Sequence, residues 1–288
     1  MITVGVIGGT GLYAVDALAQ AREVSIETPF GSTSDVFTAG DVGNAHLIFV
    51  PRHGRGHRLL PAEVPYRANL FALKSLGAEW VISISAVGSM REEIHPGDLV
   101  LPTQYIDRTQ GRAATFFGDG IAAHVSVANP VCPTLNQHLA KSVRACGLRL
   151  HEGGTYLCID GPAFSTRAES ALYRQWGVDI IGMTAMPEAK LAREAELHYA
   201  TLALVTDYDC WKASEEAVSA DSVVAILRRN TANVLRVLSH AVPGLEASAR
   251  SATCACPQAL ASAVLTDPSR IPAERRTTLG PILGRHLG

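Results

Sequence analysis

Tyr199-Ala200-Thr201-Leu202-Ala203-Leu204-Val205-Thr206-Asp207-Tyr208-Asp209 is an apolar run of strand length that ends on two carboxylates one residue apart. In extended chain, residues i and i+2 share a face, so the spacing predicts that Asp207 and Asp209 reach one small ligand together. A buried strand stopping on a polar pair places its chemistry at the carboxyl end, where open α/β sheets hold ligands. An adenine edge suits two such acids. A protonated carboxyl donates to N7, and a carboxylate accepts from the 6-amino group. Neighbouring acids resist ionising together, so one pKa should rise, as a general acid requires. The same spacing also serves a solvated strand-to-loop turn.

Upstream, Ile2 to Ile7 reads as a strand running into Gly8-Gly9-Thr10-Gly11, with helical character from Leu12 to Ala21. Glycines at such a turn let backbone N–H groups approach a phosphate, and Thr10 adds a hydroxyl. Gly9 to Ala14 also fits a dinucleotide fingerprint, with Glu27 near the acidic position, so a nicotinamide-dependent oxidoreductase is an alternative. The run Ala45 to Val50 delivers Arg52-His53-Gly54-Arg55-Gly56-His57, a cationic loop suited to phosphate oxygens or to a plain basic surface. Trp80 to Ser83 is a short strand, and Ser85-Ala86-Val87-Gly88-Ser89 reads as its hydroxyl-rich exit. Pro65 to Leu76 carries helix signals at both ends. The loop Asp160 to Arg167 precedes a helix from about Glu169. Val178 to Ile181 is a strand emptying into Gly182-Met183-Thr184, and Pro187 to Glu196 is helical. Ser219 to Ser239 repeats apolar residues at helical spacing, Val234 among them, which predicts a core-facing helix.

Strands and helices alternate throughout, which predicts one α/β domain with helices on both faces of its sheet. A break at Pro243-Gly244 suggests a main domain over 1–243 and a tail over 244–288. The 288 residues are 47% hydrophobic and 18% charged, with a net charge of -2. That balance offers no field for nucleic acid or anionic membrane. No apolar run reaches spanning length, and the N-terminus enters a strand at once, so the cytoplasm is the expected compartment. Cys254-Ala255-Cys256 can be a strained disulfide, half of a metal site or two idle thiols. The sequence shows no second Cys/His pair at metal spacing, which argues against zinc.

The chain resembles the methylthioadenosine phosphorylases of the purine nucleoside phosphorylase superfamily. The resemblance is carried by Gly8 to Leu12, Arg52 to Arg55, Ser85 to Ser89, Gly161 to Glu169, Met183-Thr184 with Pro187-Glu188, and Thr206 to Lys212, in family order. It implies a nucleoside phosphorylase fold with a mixed central sheet. It also implies phosphorolysis of 5′-methylthioadenosine to adenine and 5-methylthioribose 1-phosphate, a step of purine and methionine salvage. By this likeness Thr10, Arg52, His53, Ser85, Ala86 and Thr184 hold phosphate. Met183 lies against the ribose, Phe164 along the base, and Ser165 with Asp207, Tyr208 and Asp209 at the purine edge. Ala220 and Val223 line the 5′ pocket, with His124 supplied by a neighbouring subunit of a homotrimer. No metal or organic cofactor is implied, only phosphate as co-substrate. The tail cysteines look like a pair that forms a disulfide in some members. Gly182 departs from the family pattern, in which Asn often precedes Met-Thr, and the smaller Ala220 leaves room for 5′-deoxyadenosine. A 6-oxopurine phosphorylase, a hydrolytic nucleosidase and a non-catalytic nucleoside-binding module remain alternatives.

Overall fold

The computed structural model describes residues 1–9, 19–212, 220–250 and 253–286; the side chains of 19, 20, 220–225, 227–229 and 250 fall outside the description. Its elements, in chain order, are β1 (Ile2–Gly8), β2 (Ala19–Val24), β3 (Phe37–Val42), β4 (Ala45–Pro51), α1 (Tyr66–Ser75), β5 (Trp80–Ser89), β6 (Leu99–Leu101), β7 (Gln104–Arg108) and α2 (Pro133–Ala145). They continue with β8 (Leu150–Glu152), β9 (Thr155–Ile159), α3 (Arg167–Gln175), β10 (Ile180–Gly182), α4 (Ala185–Glu194), β11 (His198–Asp207), α5 (Ala220–Arg250), α6 (Ala273–Thr278) and α7 (Gly280–Leu283).

The strands form one mixed sheet in the order β2-β3-β4-β1-β5-β10-β9-β7, with β11 beside β5 and β6, and β8 beyond β6. Period-two alternation sorts its side chains into two cores. On β11, Tyr199, Ala203 and Val205 enter one core with α1 and α4. Ala200, Leu202 and Leu204 enter the other with α2 and α5. An apolar run that alternates between two dry faces is what a strand covered by helices on both sides requires.

The strand that positions the site is β5. Its first half, Trp80 to Ser83, runs parallel to β1. Its far end, Gly88 and Ser89, pairs antiparallel with β10. Along its other edge β11 follows it from Trp80 to Gly88. Residues 84–87 are therefore paired on one side only, and the sheet opens there. The Ser85 to Ser89 segment, expected as a strand exit, lies inside this ten-residue strand.

Two further expectations are corrected. Ala19 to Ala21, read as the end of a helix, begin β2, which pairs antiparallel with β3 at the sheet edge. The rest of that reading, with Thr10, lies outside the described residues. β3 and β4 stand between β2 and β1, and Glu27 is exposed after β2, so the acidic position of a dinucleotide fold is not beside the glycine-rich turn. Secondly, α5 runs through Pro243 to Arg250, so a boundary at 243 falls inside a helix. Proline removes one helical N–H, a cost of about 3 kcal/mol in an interior turn. Burial of Val242 and Leu245 offsets it. His138 also clamps the turn, with Nε2 donating to the Ala241 carbonyl at 2.7 Å and Nδ1 accepting from Ser248 Oγ at 2.8 Å.

Beyond α5 the chain returns to the first core, where Leu260, Ile271, Leu279, Ile282 and Leu283 are buried. The chain there opens on a 3₁₀ turn at Cys256–Gln258. Glu196 anchors the tail by accepting from Leu260 N at 2.9 Å and from Arg285 Nε at 2.9 Å. Leu283 is fully buried in this core. Leu283→Ala should therefore cost about 2–5 kcal/mol in urea unfolding, as for any leucine deleted from a packed core. A change near zero would mean that the tail is an appendage.

Candidate active site

Where the sheet opens, a cavity of about 300 Å³ is lined by Gly9, Arg52, His53, residues 84–88 of β5, Phe164, residues 181–184, Asp207 and Asp209. Hydroxyls gather in one part of it. Ser85 Oγ lies 3.0 Å from Tyr156 Oη and 3.3 Å from Thr184 Oγ1. With Gly9 at the end of β1, these groups give a small anion neutral donors on several sides.

Arg52 is 1% exposed and bound up with protein groups. Its Nε and Nη2 donate to the two oxygens of Glu188 at 3.0 and 3.2 Å, Nη2 to Ser83 Oγ at 2.7 Å, and Nη1 to the Ile84 carbonyl at 2.9 Å. Ser83 and Tyr199 hydroxyls also donate to Glu188, at 2.5 and 3.0 Å. A guanidinium carries five N–H groups, so one Nη1 hydrogen remains for a ligand. Among the described residues Arg52 is thus a neutralised strut with one Nη1 hydrogen unspent rather than an open fork.

His53 lines the same cavity. Burial, followed by the charge of Arg52, depresses its pKa to about 4. The ring is neutral at pH 7, with Nδ1 donating to the Leu59 carbonyl at 2.9 Å. Nε2 is then an acceptor, and it suits a protonated phosphate oxygen better than a bare one.

The acid pair arises differently from its spacing. A bulge between Val205 and Asp207 shifts the register, so that Asp207 rather than Thr206 stands opposite Gly88. Asp209 then turns into the left-handed region at φ 51°. The two carboxylates meet through a turn, in which Asp209 N–H donates to Asp207 Oδ1 at 2.8 Å and Thr206 Oγ1 to Oδ2 at 2.6 Å. Burial raises the Asp207 pKa, and the charge of Asp209 adds to it against those two bonds. Gly88 makes room, because a Cβ there would lie 2.8 Å from Asp207 Oδ1.

Other sequence candidates fall as follows. Ala86, Met183, Thr184 and Phe164 line the cavity, Phe164 with 44% of its surface exposed. Tyr208 does not line it. Its ring packs instead against Trp211 at 5.7 Å and under Lys212 Nζ at 3.7 Å. Ser165 also stands off the wall, with its Oγ buried and unpartnered. His124 is exposed, away from its own chain's cavity. Ala220 and Val223 open α5, but their side chains lie outside the described residues. From that helix Thr231 and Val234 reach the cavity, although Val234 was expected only in the core.

A profile of the phosphorylase superfamily matches residues 3–243. An S-methyl-5′-thioadenosine phosphorylase from Geobacter sulfurreducens is 51% identical, over 99% of both chains. One from Hyperthermus butylicus is 49% identical over 91% of this chain and 95% of its own. The chain belongs to the S-methyl-5′-thioadenosine phosphorylase family. A methylthioadenosine phosphorylase crystal structure from an Antarctic soil metagenomic library superposes with a TM-score of 0.92, at 48% identity over 98% of this chain and 99% of that one. A Schistosoma mansoni enzyme crystallised with methylthioadenosine gives a TM-score of 0.84, at 35% identity over 90% and 98%.

Three residues of this phosphorylase escaped the sequence reading. Glu188 was noted only as part of a motif, and nothing in the sequence pairs it with Arg52. Arg112 has a side chain 2% exposed, bonded to Asp160 Oδ1 at 3.1 Å and to the Met183 and Met186 carbonyls at 2.7 and 2.8 Å. It ties the Phe164 loop to the Met183 loop. Tyr156 explains the departure at Gly182. A Cβ on Gly182 would lie 2.1 Å from Tyr156 Oη, so the phenol occupies the space a side chain at 182 would take. Removing one partner of a buried ion pair strands the other, at a cost of about 3–5 kcal/mol. Glu188→Ala should lose that much in chemical denaturation, and Arg52→Ala/Glu188→Ala should recover part of it. Equal loss in both variants would mean that leaving Arg52 unpaired carries no penalty of its own.

Proposed function

We propose that this enzyme cleaves 5′-methylthioadenosine with inorganic phosphate, giving adenine and 5-methylthioribose 1-phosphate for purine and methionine salvage. The observation that carries the reading is Asp207, held with a raised pKa against Gly88 in the same cavity as the Ser85–Thr184–Tyr156 hydroxyls. Phosphate would sit among those hydroxyls, the backbone at Ala86, the spare Arg52 donor and His53 Nε2, with Thr10 joining from the glycine-rich turn. A phosphate oxygen bonds to C1′ as the C1′–N9 bond breaks and its electron pair passes to the purine. Positive charge on the sugar is met by the anion beneath it, and negative charge on the base by a proton from Asp207 to N7. Asp209 accepts from the 6-amino group, Phe164 covers the base, and Met183 lies against the ribose. Val234 supports an apolar wall for the methylthio group, with Ala220 and Val223 assigned there by resemblance. Inorganic phosphate is the co-substrate, and the chemistry needs no further group.

We also infer an oligomer, a homotrimer in keeping with the family resemblance, in which the exposed His124 enters a neighbour's cavity and the half-covered Phe164 meets that neighbour. Among the described residues no helix is long and apolar enough to cross a membrane. Six free thiols fit a reducing compartment, and the cytoplasm is our reading of its location.

Base release should require phosphate, and equal rates in phosphate-free buffer would mean hydrolysis. Asp207→Asn can donate to O6 but cannot supply the proton, so kcat/KM on methylthioadenosine should fall by about 10²–10⁴-fold. The inosine analogue should lose less; an equal loss would show that the pair does not read the 6-position. The raised Asp207 pKa fixes the sign with pH. Protonated Asp207 is lost as pH rises, so its contribution to kcat and to stability is greatest on the acid side and fades through the folded pKa. Asp207→Asn should flatten that limb of the kcat profile.

Tyr156→Phe removes one hydroxyl from the anion site while keeping the ring. Its expected effect is a rise of about 2–10-fold in KM for phosphate with little change in melting temperature, the usual worth of one hydrogen bond. An unchanged phosphate KM would leave Tyr156 as packing alone.

A further inference from the structure

At the far end of β11 from the acids, four side chains converge that are scattered in sequence. They are Cys132, His198, Cys254 and Cys256, whose donor atoms all lie within 4.8 Å of one another. Cys132 Sγ and Cys254 Sγ stand 3.3 and 3.2 Å from His198 Nδ1, and 3.6 Å from each other. A tetrahedral zinc with Zn–S bonds of about 2.3 Å and a Zn–N bond of about 2.1 Å has edges of roughly 3.8 Å between sulfurs and 3.6 Å from sulfur to nitrogen. These three edges need to open by only a few tenths of an ångström, and those to Cys256 lie within 4.8 Å. None of the four residues lines the substrate cavity.

This geometry supplies the second pair that the sequence lacked. Cys254 and Cys256 were a half-site without a partner pair, and the fold supplies the partners from 122 residues upstream of Cys254 and from 56. It also bears on the disulfide reading, since all six cysteines are free. A disulfide would use two thiols and leave a third thiol and an imidazole facing it. Three sulfurs and one imidazole nitrogen are a complete donor set for a closed structural zinc site.

The surroundings favour thiolates. Cys132 caps the thirteen-residue helix α2, and its sulfur accepts from Leu135 N at 3.4 Å, which places it at the positive end of the helix. Arg193, whose charge reaches Cys256, is 9% exposed, and its Nε has no acceptor. Three thiolates, a neutral imidazole and a divalent cation carry one net negative charge, which a buried guanidinium would offset. The His198 ring is fixed by stacking on Trp80, with centroids 3.8 Å apart and planes 6° apart. Cys256 is buried and Cys254 only partly so, which leaves a way in for an ion.

We propose that Cys132, His198, Cys254 and Cys256 form a tetrahedral site for a zinc-class divalent cation that fastens the C-terminal segment to the start of β11. Binding is ligand exchange, in which three metal–sulfur bonds and one metal–nitrogen bond form as thiol protons leave to water. No oxidation is involved. The role is structural, so it stands or falls separately from the reaction proposed above.

The test uses the full-length, tag-free protein. Elemental analysis after growth in zinc-supplemented medium should find about one zinc per chain that survives dialysis. Cobalt(II) added to chelator-stripped, reduced protein should give thiolate-to-cobalt charge transfer and the visible bands of tetrahedral cobalt. Both signals should vanish in Cys256→Ser and persist in Cys146→Ser, whose sulfur lies outside the cluster. Dipicolinate should lower the melting temperature of the parent protein and leave that of Cys256→Ser unchanged. Should Cys256→Ser fail to fold, the cobalt spectrum of the parent protein decides. No retained zinc together with no tetrahedral cobalt spectrum would overturn the proposal. So would non-reducing peptide mapping that finds Cys254 joined to Cys256 or to Cys132 in freshly purified protein.

Discussion

The site depends on β5 changing its partner part-way along. It leaves β1 after Ser83 and meets β10 at Gly88, so residues 84–87 are held by β11 alone. Backbone polar groups cannot be left dry, and a sheet that parts in its interior must fill the gap with protein groups or with ligand. Here Arg52 reaches across to the Ile84 carbonyl and Glu188 holds Arg52 in place, while the rest of the gap is the cavity. Scaffold and binding surface are the same four residues seen from two sides.

Electrostatics at the opening follow from that economy. The buried cation is balanced by a buried carboxylate, and the adjacent histidine is neutral, so the anion site offers oriented dipoles with little net charge. Such a site selects by shape and hydrogen-bond count, and its affinity should depend weakly on ionic strength. It also explains the tolerance of Gly182. A hydroxyl delivered by Tyr156 from the neighbouring β9 fills the volume that a side chain at 182 would otherwise take.

Much of this was legible in the chain. β11, β4 and α1 followed from apolar runs and helix signals, because local burial and capping decide them. The motifs around Arg52, Ser85, Met183 and Asp207 met in one cavity as their order implied. Contacts across the fold were illegible. Nothing near Arg52 announces Glu188, and nothing near Cys254 announces Cys132 and His198, because sequence separation carries no signal for a pair made by sheet packing. Tyr208 was misplaced for a different reason. Alternation alone sets residue 208 opposite Asp207 and Asp209, and its place at the purine edge came only from carrying the whole Thr206 to Lys212 motif over by resemblance. Pro243 was over-read, since tertiary burial carried α5 through a residue that ordinarily stops a helix.

Asp209 sits at φ 51°, a backbone state that admits glycine, asparagine and aspartate with least strain. Evolution at this position is therefore channelled. A carboxylate can be exchanged for an amide without rebuilding the loop, while branched or bulky residues are screened out by the main chain before any substrate is met. The residue types that the backbone allows here include both an acceptor for an amino group and a donor for a carbonyl. Drift between purine classes is thus open along a conformationally neutral path, and the turn that brings the two acids together also sets the alphabet from which new specificities can be drawn.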